Sequence, residues 1–352
     1  MHTGGASCSW FDTIARTSKK RNIMPRTVNA CFTQLNTNIV NLDSKVRNIA
    51  LSSRDNLITS LHTLSDKGLI PPSYPERDMY IGSFARKTKI RPLDDIDLMI
   101  CFNGQGGHYE IVQINQTYKI IIPDRTTILS ELRNEDNSLN SRSLLCLIRD
   151  NLSELHDFRM ADIHYNKEAC TLQLKSYTWN FDIVPCFYTT TDFYLIPDGY
   201  GNWKNTDPRI DNDRTTTINQ QKNGQMLQWV RTLKYWKARN NNPWRKVSSY
   251  LFEQLLLNIA STIEFNQSFS RLISAALSQL SSFILSPVYD PKNIQGDLNT
   301  LTSEERKALS QYSKYYASIA NSAITYEYIY DDPKSAVAMW KIIFGDDFPN
   351  FD

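Results

Sequence analysis

The 352-residue chain balances 39 Lys and Arg against 37 Asp and Glu, a net charge of +2, without the basic excess of a dedicated duplex binder. Hydrophobic residues make up 41% and aromatic ones 11%. This is a soluble globular composition with room for one large domain or two ordinary ones, and no apolar run approaches the roughly 18–20 residues that span a bilayer.

Residues 1–23 turn from small residues to a basic run and read as a flexible, solvated extension, with Met24 as the expected start of folding. They carry no apolar signal core, so export is not expected. Six widely separated cysteines (Cys8, Cys31, Cys101, Cys146, Cys170 and Cys186) form neither Cys-x-x-Cys nor a Cys/His cluster. That spacing excludes a zinc module and favours reduced thiols in the cytoplasm. The five histidines show no ligand spacing and read as surface or satisfied core residues.

From Asp43 to about Asp66, Val46, Ile49, Ala50, Leu57, Ile58, Leu61 and Leu64 recur near a 3.6-residue period, predicting a helix capped by Asp43 or Ser44 and ended by Gly68. Pro71, Pro72 and Pro75 then turn the chain into residues 79–102: a short strand, a Gly82-Ser83 turn, a turn or two of helix, and a strand opening on Asp95-Ile96-Asp97. Residues i and i+2 of a strand share a face, so Asp95 and Asp97 project together. Their apolar neighbours Ile96, Leu98, Ile100 and Phe102 predict a strand buried on both faces. Two carboxylates held there resist ionisation unless a cation compensates them, and oxygen-only ligands suit magnesium or manganese.

The run Asn103 to His108 (Asn-Gly-Gln-Gly-Gly-His) precedes the alternating residues Tyr109, Ile111 and Ile114 rather than a helix, so it predicts a hairpin turn and not a phosphate loop. A helix is expected over 140–155 and strands over 161–165, 171–177 and 179–188. In the last of these Asp182 stands alone among Phe181, Ile183 and Val184, where a charge needs compensation. Pro185 predicts that this strand lies at an edge or near its end. Trp203, Asp207 and Pro208 are expected to shape the connection between lobes.

Beyond residue 220 the pattern turns helical, with segments expected over 225–239, 249–265, 268–285, 302–330 and 334–344. Thr302 and Glu305 match a capping box, Asp332-Pro333 a cap and first residue, and 286–301 a connection. The organisation is α+β: a core lobe over 24–220 and a helical lobe over 221–352.

Gly82 allows close backbone approach, Ser83 and the amides after it can hold phosphate oxygens, and three carboxylates can hold two metals for an in-line phosphoryl displacement. Gly82-Ser83, Thr88, Asp95-Ile96-Asp97 and Asp182 resemble the signature of the DNA polymerase β-like nucleotidyltransferases. Ser53-Arg54-Asp55-Asn56-Leu57, the run 82–88, Asp-Ile-Val-Pro at 182–185 and Trp340 with Ile343-Phe344-Gly345 narrow this. They resemble the bacterial CD-NTases, relatives of cyclic GMP-AMP synthase, over roughly residues 24–348. One position departs: the family often carries Gly just before the threonine, where this chain has Lys87.

The resemblance implies a polymerase β-like core with a mixed sheet, a C-terminal helical lobe and a site in the cleft between them. Asp95, Asp97 and Asp182 would be the catalytic and metal-holding acids for two Mg2+ ions, with Mn2+ able to substitute, and Asp182 would also help deprotonate the acceptor hydroxyl. Gly82 and Ser83 would meet the donor phosphates. Arg231-Thr-Leu-Lys234 and Ser248-Ser249-Tyr250 resemble the triphosphate- and base-binding segment of cyclic GMP-AMP synthase, implying Lys234 and Ser249 on the triphosphate and Tyr250 on a base. On the residues alone, Lys234 falls on a largely apolar helix side, where it snorkels or points at an anion. Ser248 or Ser249 equally fits a helix cap, Tyr250 a core position and Arg231 a surface ion pair.

The implied activity is synthesis of a cyclic di- or trinucleotide messenger from nucleoside triphosphates in anti-phage signalling. A separate effector would respond to the product, and a regulatory protein is a further partner. The chain is expected to act as a cytoplasmic monomer. An RNA 3′-end or linear oligoadenylate transferase is the rival enzyme, and a silent nucleotide- or RNA-binding module the rival of another class.

Overall fold

The computed structural model describes residues 26–113 and 117–351; the extension expected over 1–23, Met24 and Ile114 lie outside them. Helix α1 (Val28–Leu35) is capped by the Thr27 side chain and continues into a short π-helical segment (Asn36–Val40). Asp43 caps α2 (Ser44–Asp66), accepting from the amides of Lys45 and Val46 at 2.8 and 3.3 Å, and Gly68 follows its end at φ +68°. Strand β1 (Met79–Tyr80), the one-turn helix α3 (Gly82–Ala85) and β2 (Asp95–Phe102) follow. A hairpin of β3 (His108–Gln113) and β4 (Thr117–Ile121) leads through α4 (Ile128–Glu131) to α5 (Ser141–Glu154). Five strands complete the first half: β5 (Asp162–Asn166), β6 (Ala169–Gln173), β7 (Asn180–Tyr188), β8 (Tyr194–Pro197) and β9 (Trp203–Thr206).

These nine strands make one mixed sheet in the order β1-β2-β7-β8-β9-β4-β3, with β6 attached to β7 and β5 to β6. Among the described residues β2 and β7 are its parallel pair; every other pairing is antiparallel. Ile96, Leu98, Ile100 and Phe102 of β2, with Phe181 and Ile183 of β7, face a core closed by Leu57, Leu61 and Leu64 of α2 and Leu144, Leu145 and Ile148 of α5. The opposite face of the same two strands carries Met99, Cys101, Val184 and Cys186, and it also carries the acids.

Two expectations about the sheet fail for topological reasons. The glycine run after β2 is not a hairpin turn, because β3 pairs with β4 and never with β2; it starts a crossing to the far edge of the sheet. Pro185 is buried in a central strand, not at an edge. It is tolerated because β6 pairs with residues 180–183 of β7 and β8 with 187–188, leaving the proline in the gap between them, where a missing N–H costs least. Trp203 is fully buried within the sheet's own core, its indole N–H donating to Leu139 O at 3.0 Å, so it does not shape the lobe connection. Asp207 and Pro208 do, as cap and first residue of α6 (Pro208–Gln221).

The helical half comprises α7 (Met226–Arg239), α8 (Asn241–Trp244), α9 (Ser249–Thr262), α10 (Phe269–Phe283), α11 (Ser303–Tyr328) and α12 (Pro333–Phe344). The predicted Thr302–Glu305 capping box and the Asp332 cap are both formed. Residues expected in the core lobe join this one: Val28, Cys31, Phe32, Leu35 and Val40 pack into the helical core with Trp229, Trp236 and Trp340. Phe32 meets Phe269, Trp340, Phe344 and Phe348 edge-on, with ring centroids 5.0–5.7 Å apart. Phe32→Ala is therefore expected to cost about 3–5 kcal/mol, read as a lowered denaturant midpoint. An unchanged midpoint would show that α1 does not close this lobe.

Candidate active site

The parallel register of β2 and β7 builds the acid cluster. Asp97 and Asp182 are direct partners across the two strands, and paired residues of adjacent strands share a face. Asp95, two residues earlier on β2, joins them. All three carboxylates thus stand on the sheet face turned away from α2, at the start of their strands. Thr171 of β6, the antiparallel partner of Asp182, donates its hydroxyl to Asp182 Oδ1 at 2.7 Å.

The Gly82 backbone lies directly over Asp97. Gly82 has φ +70°, and a Cβ there would overlap Asp97 Oδ2 and sit 2.6 Å from Cγ. Only glycine allows this approach. Burial and the neighbouring charges of Asp95 and Asp182 push the Asp97 carboxyl up to about 7.

The turn after Gly82 is closed by its own amides. Arg86 N–H donates to Gly82 O at 3.2 Å, and the amides of Thr88 and Lys89 both donate to Ser83 O at 2.9 and 3.1 Å. Lys87, at the family's usual glycine position, sits at φ +61°. This left-handed conformation is what makes glycine the easy residue there. Lys87 thus holds a left-handed backbone that a glycine would adopt without strain.

The fit of divalent cations rests on this donor set. Three carboxylates stand on one face, and burial together with the charges of Asp95 and Asp182 pushes the Asp97 carboxyl up, the electrostatic situation that a cation relieves. Lys89 pairs with both Asp94 and Asp95, and Thr171 engages Asp182. Among the described residues no three His, Cys, Asp or Glu side chains are yet drawn together at ligand spacing. The acids are in register, with Lys89 and Thr171 as their present partners.

A cavity of about 360 Å³ opens beside Lys89, the partner of Asp94 and Asp95, although none of Asp95, Asp97 and Asp182 lines it. Ser83, Lys89 and Asp94 line it from the core lobe, and Lys234, Lys237 and Ser249 line it from the helical lobe. Three of the expected phosphate contacts, Ser83, Lys234 and Ser249, therefore share one space. Of the two serines that could cap α9, Ser248 does so, through Leu251 N at 3.0 Å, which leaves the Ser249 hydroxyl free of that duty.

Tyr250 is placed elsewhere. Its hydroxyl meets Asp211 Oδ1 at 2.8 Å and Asp290 Oδ1 at 3.2 Å, and Lys292 lies over its ring at 4.5 Å. Ser249 lines the cavity and Tyr250, the next residue of α9, does not. Arg231 is not a surface ion-pair residue. It donates to Lys87 O at 2.6 Å and Asn41 Oδ1 at 2.7 Å, strapping the helical lobe to the turn.

Sequence reasoning passed over Lys89, Lys237, Thr171 and Glu253. Lys237 was legible, standing one turn after Lys234. Glu253 was legible too, as a lone acid in the apolar start of α9, the same signal that exposed Asp182. Nothing in the sequence ties Lys89 to Asp95 or Thr171 to Asp182; those contacts come from strand pairing and the closed turn.

Residues 26–219 match the family model of the Second Messenger Oligonucleotide or Dinucleotide Synthetase domain. A probable cyclic nucleotide synthase of Bacillus cereus (strain VD146) is 38% identical over 334 residues, covering 93% of this chain and 99% of that protein. Among solved structures, CdnC of E. coli MS115-1 with ATP superposes with a TM-score of 0.65 at 18% identity, over 91% of this chain and 98% of that one. The Vibrio cholerae DncV cyclic AMP-GMP synthase does so with a TM-score of 0.65 at 12% identity, over 93% and 98%. At those identities the structures establish the fold: the expected α+β core with a helical lobe behind it. With the domain match, the close relative and the in-register acids together, the chain belongs to the bacterial CD-NTase family and is a nucleotidyltransferase.

Proposed function

We propose that the protein joins nucleoside triphosphates into a cyclic di- or trinucleotide messenger, with two magnesium ions held by Asp95, Asp97 and Asp182. The observation that carries this reading is the pairing of Asp97 with Asp182 across the parallel β2 and β7, with Gly82 pressed against Asp97. When bound, the ions would neutralise the acids and stabilise charge on the attacking and leaving oxygens.

The chain's own residues supply the rest. Ser83, Lys234 and Ser249 hold the donor triphosphate, with Lys237 on the same cavity wall. Asp182, steadied by Thr171, takes the proton of the acceptor ribose hydroxyl as its oxygen bonds to the α-phosphorus. The bond to pyrophosphate breaks in the same displacement. Repetition within one bound intermediate closes the ring.

The biological setting is anti-phage signalling through a separate effector. A regulatory partner is proposed by analogy with CdnC of E. coli MS115-1, which is known in a complex with HORMA-deltaN. Among the described residues no helix is long and apolar enough to cross a membrane.

The test is incubation with each labelled triphosphate and magnesium, phosphatase treatment, and mass spectrometry of what survives. A phosphatase-resistant cyclic product supports the reading. Primer-dependent extension or linear product alone points to an end-adding transferase, and binding without turnover points to a silent module. Lys234→Met is expected to raise the triphosphate KM on the order of tenfold, the loss of one charge-assisted phosphate contact; an unchanged KM would remove Lys234 from the site.

A further inference from the structure

Lys234 does not reach the cavity as an isolated cation. Beside it lies Glu253, 1% exposed, on α9. That carboxylate is shared three ways. Oε1 accepts from Arg86 Nε at 2.6 Å, while Oε2 accepts from the Thr88 hydroxyl at 2.8 Å and from Lys234 Nζ at 3.3 Å. Arg86 and Thr88 belong to the turn that begins at Gly82-Ser83, and Lys234 belongs to α7. One buried carboxylate therefore fastens together the phosphate-facing pieces of both lobes.

We infer that Glu253 is a positioning residue for the donor nucleotide: it sets the spacing between Ser83 and Lys234 across the cavity. The inference rests on the donor-site reading above and deepens it.

Geometry and charge both carry it. Thr88 is fully buried, and its amide together with that of Lys89 holds the Ser83 carbonyl. Moving Thr88 therefore moves Ser83. Around the one carboxylate stand two cations, and the further acids facing Arg86 are Asp97 and Asp211. Lys234 lines the cavity together with Lys89 and Lys237, three ammonium groups that a polyphosphate entering the cavity would meet. Burial by itself would push the Glu253 carboxyl up, but Arg86 and Lys234 hold it below the usual carboxylate range, so it stands ionised between them. Burial likewise pulls the Lys234 ammonium down while Glu253 opposes the pull.

The test compares E253Q, K234M and E253Q/K234M in the full-length protein. It uses the triphosphates that the product assay shows to be consumed and records thermal midpoints in parallel. E253Q is expected to raise KM on the order of tenfold while lowering kcat less than about threefold. In the K234M background the same change should raise KM by clearly less than in the parent, because the part of its action that runs through Lys234 is already lost while the part that runs through Arg86 and Thr88 remains. E253D keeps the charge but withdraws it by one methylene. It should raise KM by a few-fold in the parent and by less in K234M, and it decides the question if E253Q does not fold.

A lowered thermal midpoint with KM unchanged, or KM effects that multiply in the double variant, would overturn the assignment and leave Glu253 a purely structural ion. If K234M itself leaves KM unchanged, it is the donor-site reading that fails. If K234M raises KM and neither Glu253 variant does, only the positioning role fails.

Discussion

Asp97→Asn is expected to lower product formation on the order of a thousandfold, the scale of losing a group that stabilises charge at the reacting phosphorus, and to leave the fold intact. The same variant should erase a pH effect on stability. The Asp97 carboxyl is pushed up to about 7 by burial and by Asp95 and Asp182, against about 3.9 in an unfolded chain. Between those two values the folded protein keeps a proton that the unfolded chain releases, so stability falls as pH rises through this window and is flat above it.

The penalty in the magnesium-free protein is at most about 4 kcal/mol. It should appear as a thermal midpoint lower at pH 8 than at pH 5, after subtraction of the same difference in Asp97→Asn. Magnesium should then raise the midpoint at pH 8 more than at pH 5, since a cation binds the ionised form. Thermal melts with chelator and with magnesium at both pH values check this. If Asp97→Asn shows the same pH and magnesium dependence as the parent, the carboxylate cluster is not where the cation binds.

Gly82→Ala is expected to abolish activity, by at least about a hundredfold, through a single added carbon. The Cβ would overlap the Asp97 carboxylate and would also have to adopt φ +70°. The second effect alone costs about 1–2 kcal/mol, which a protein of this size tolerates. The first forces Asp97 out of register with Asp182 or lifts the turn that carries Ser83, and a displacement on the order of 1 Å is enough to cost about a hundredfold.

Gly68→Ala is the matched control: it has nearly the same backbone angle, φ +68°, but nothing lies within 4 Å of the added carbon. It should lose about the same stability and keep its activity. Measured rates and thermal midpoints for the two variants separate backbone strain from the clash. Equal activity in both would show that the close approach of Gly82 to Asp97 has no bearing on turnover.

The helices were largely legible because their signals are local. The Asp43 cap, the Thr302–Glu305 box and the Asp332-Pro333 start each lie within one turn of chain, and each is formed as expected. Sheet connectivity was less so. Pro185 reads as an edge residue from its own chemistry, and only the handover from β6 to β8 shows why a central strand accepts it. The glycine run after β2 looks like a hairpin turn, and nothing local reveals that β3 finds its partner at the far edge.

The acids show the same division. Alternation along β2 placed Asp95 and Asp97 on one face, and the isolation of Asp182 among apolar residues marked it as a functional charge; both follow from the sequence because side-chain direction in a strand has period two. That Asp97 and Asp182 are direct partners depends on the register of two strands about 85 residues apart, and register is set by packing across the whole sheet. The pairing of Lys89 with Asp95, the turning of Tyr250 away from the cavity and the sharing of Glu253 between Arg86, Thr88 and Lys234 are likewise tertiary. The last depends on how the helical lobe closes on the Gly82-Ser83 turn, through contacts 165 and 167 residues apart in the chain, whereas the first spans six residues inside the core lobe. The sequence by itself thus determined which residues can do the chemistry, since residue type and local periodicity are written in it. Which of them meet was decided only by strand register and by the closing of the two lobes, because distance in space is not a local property of the chain.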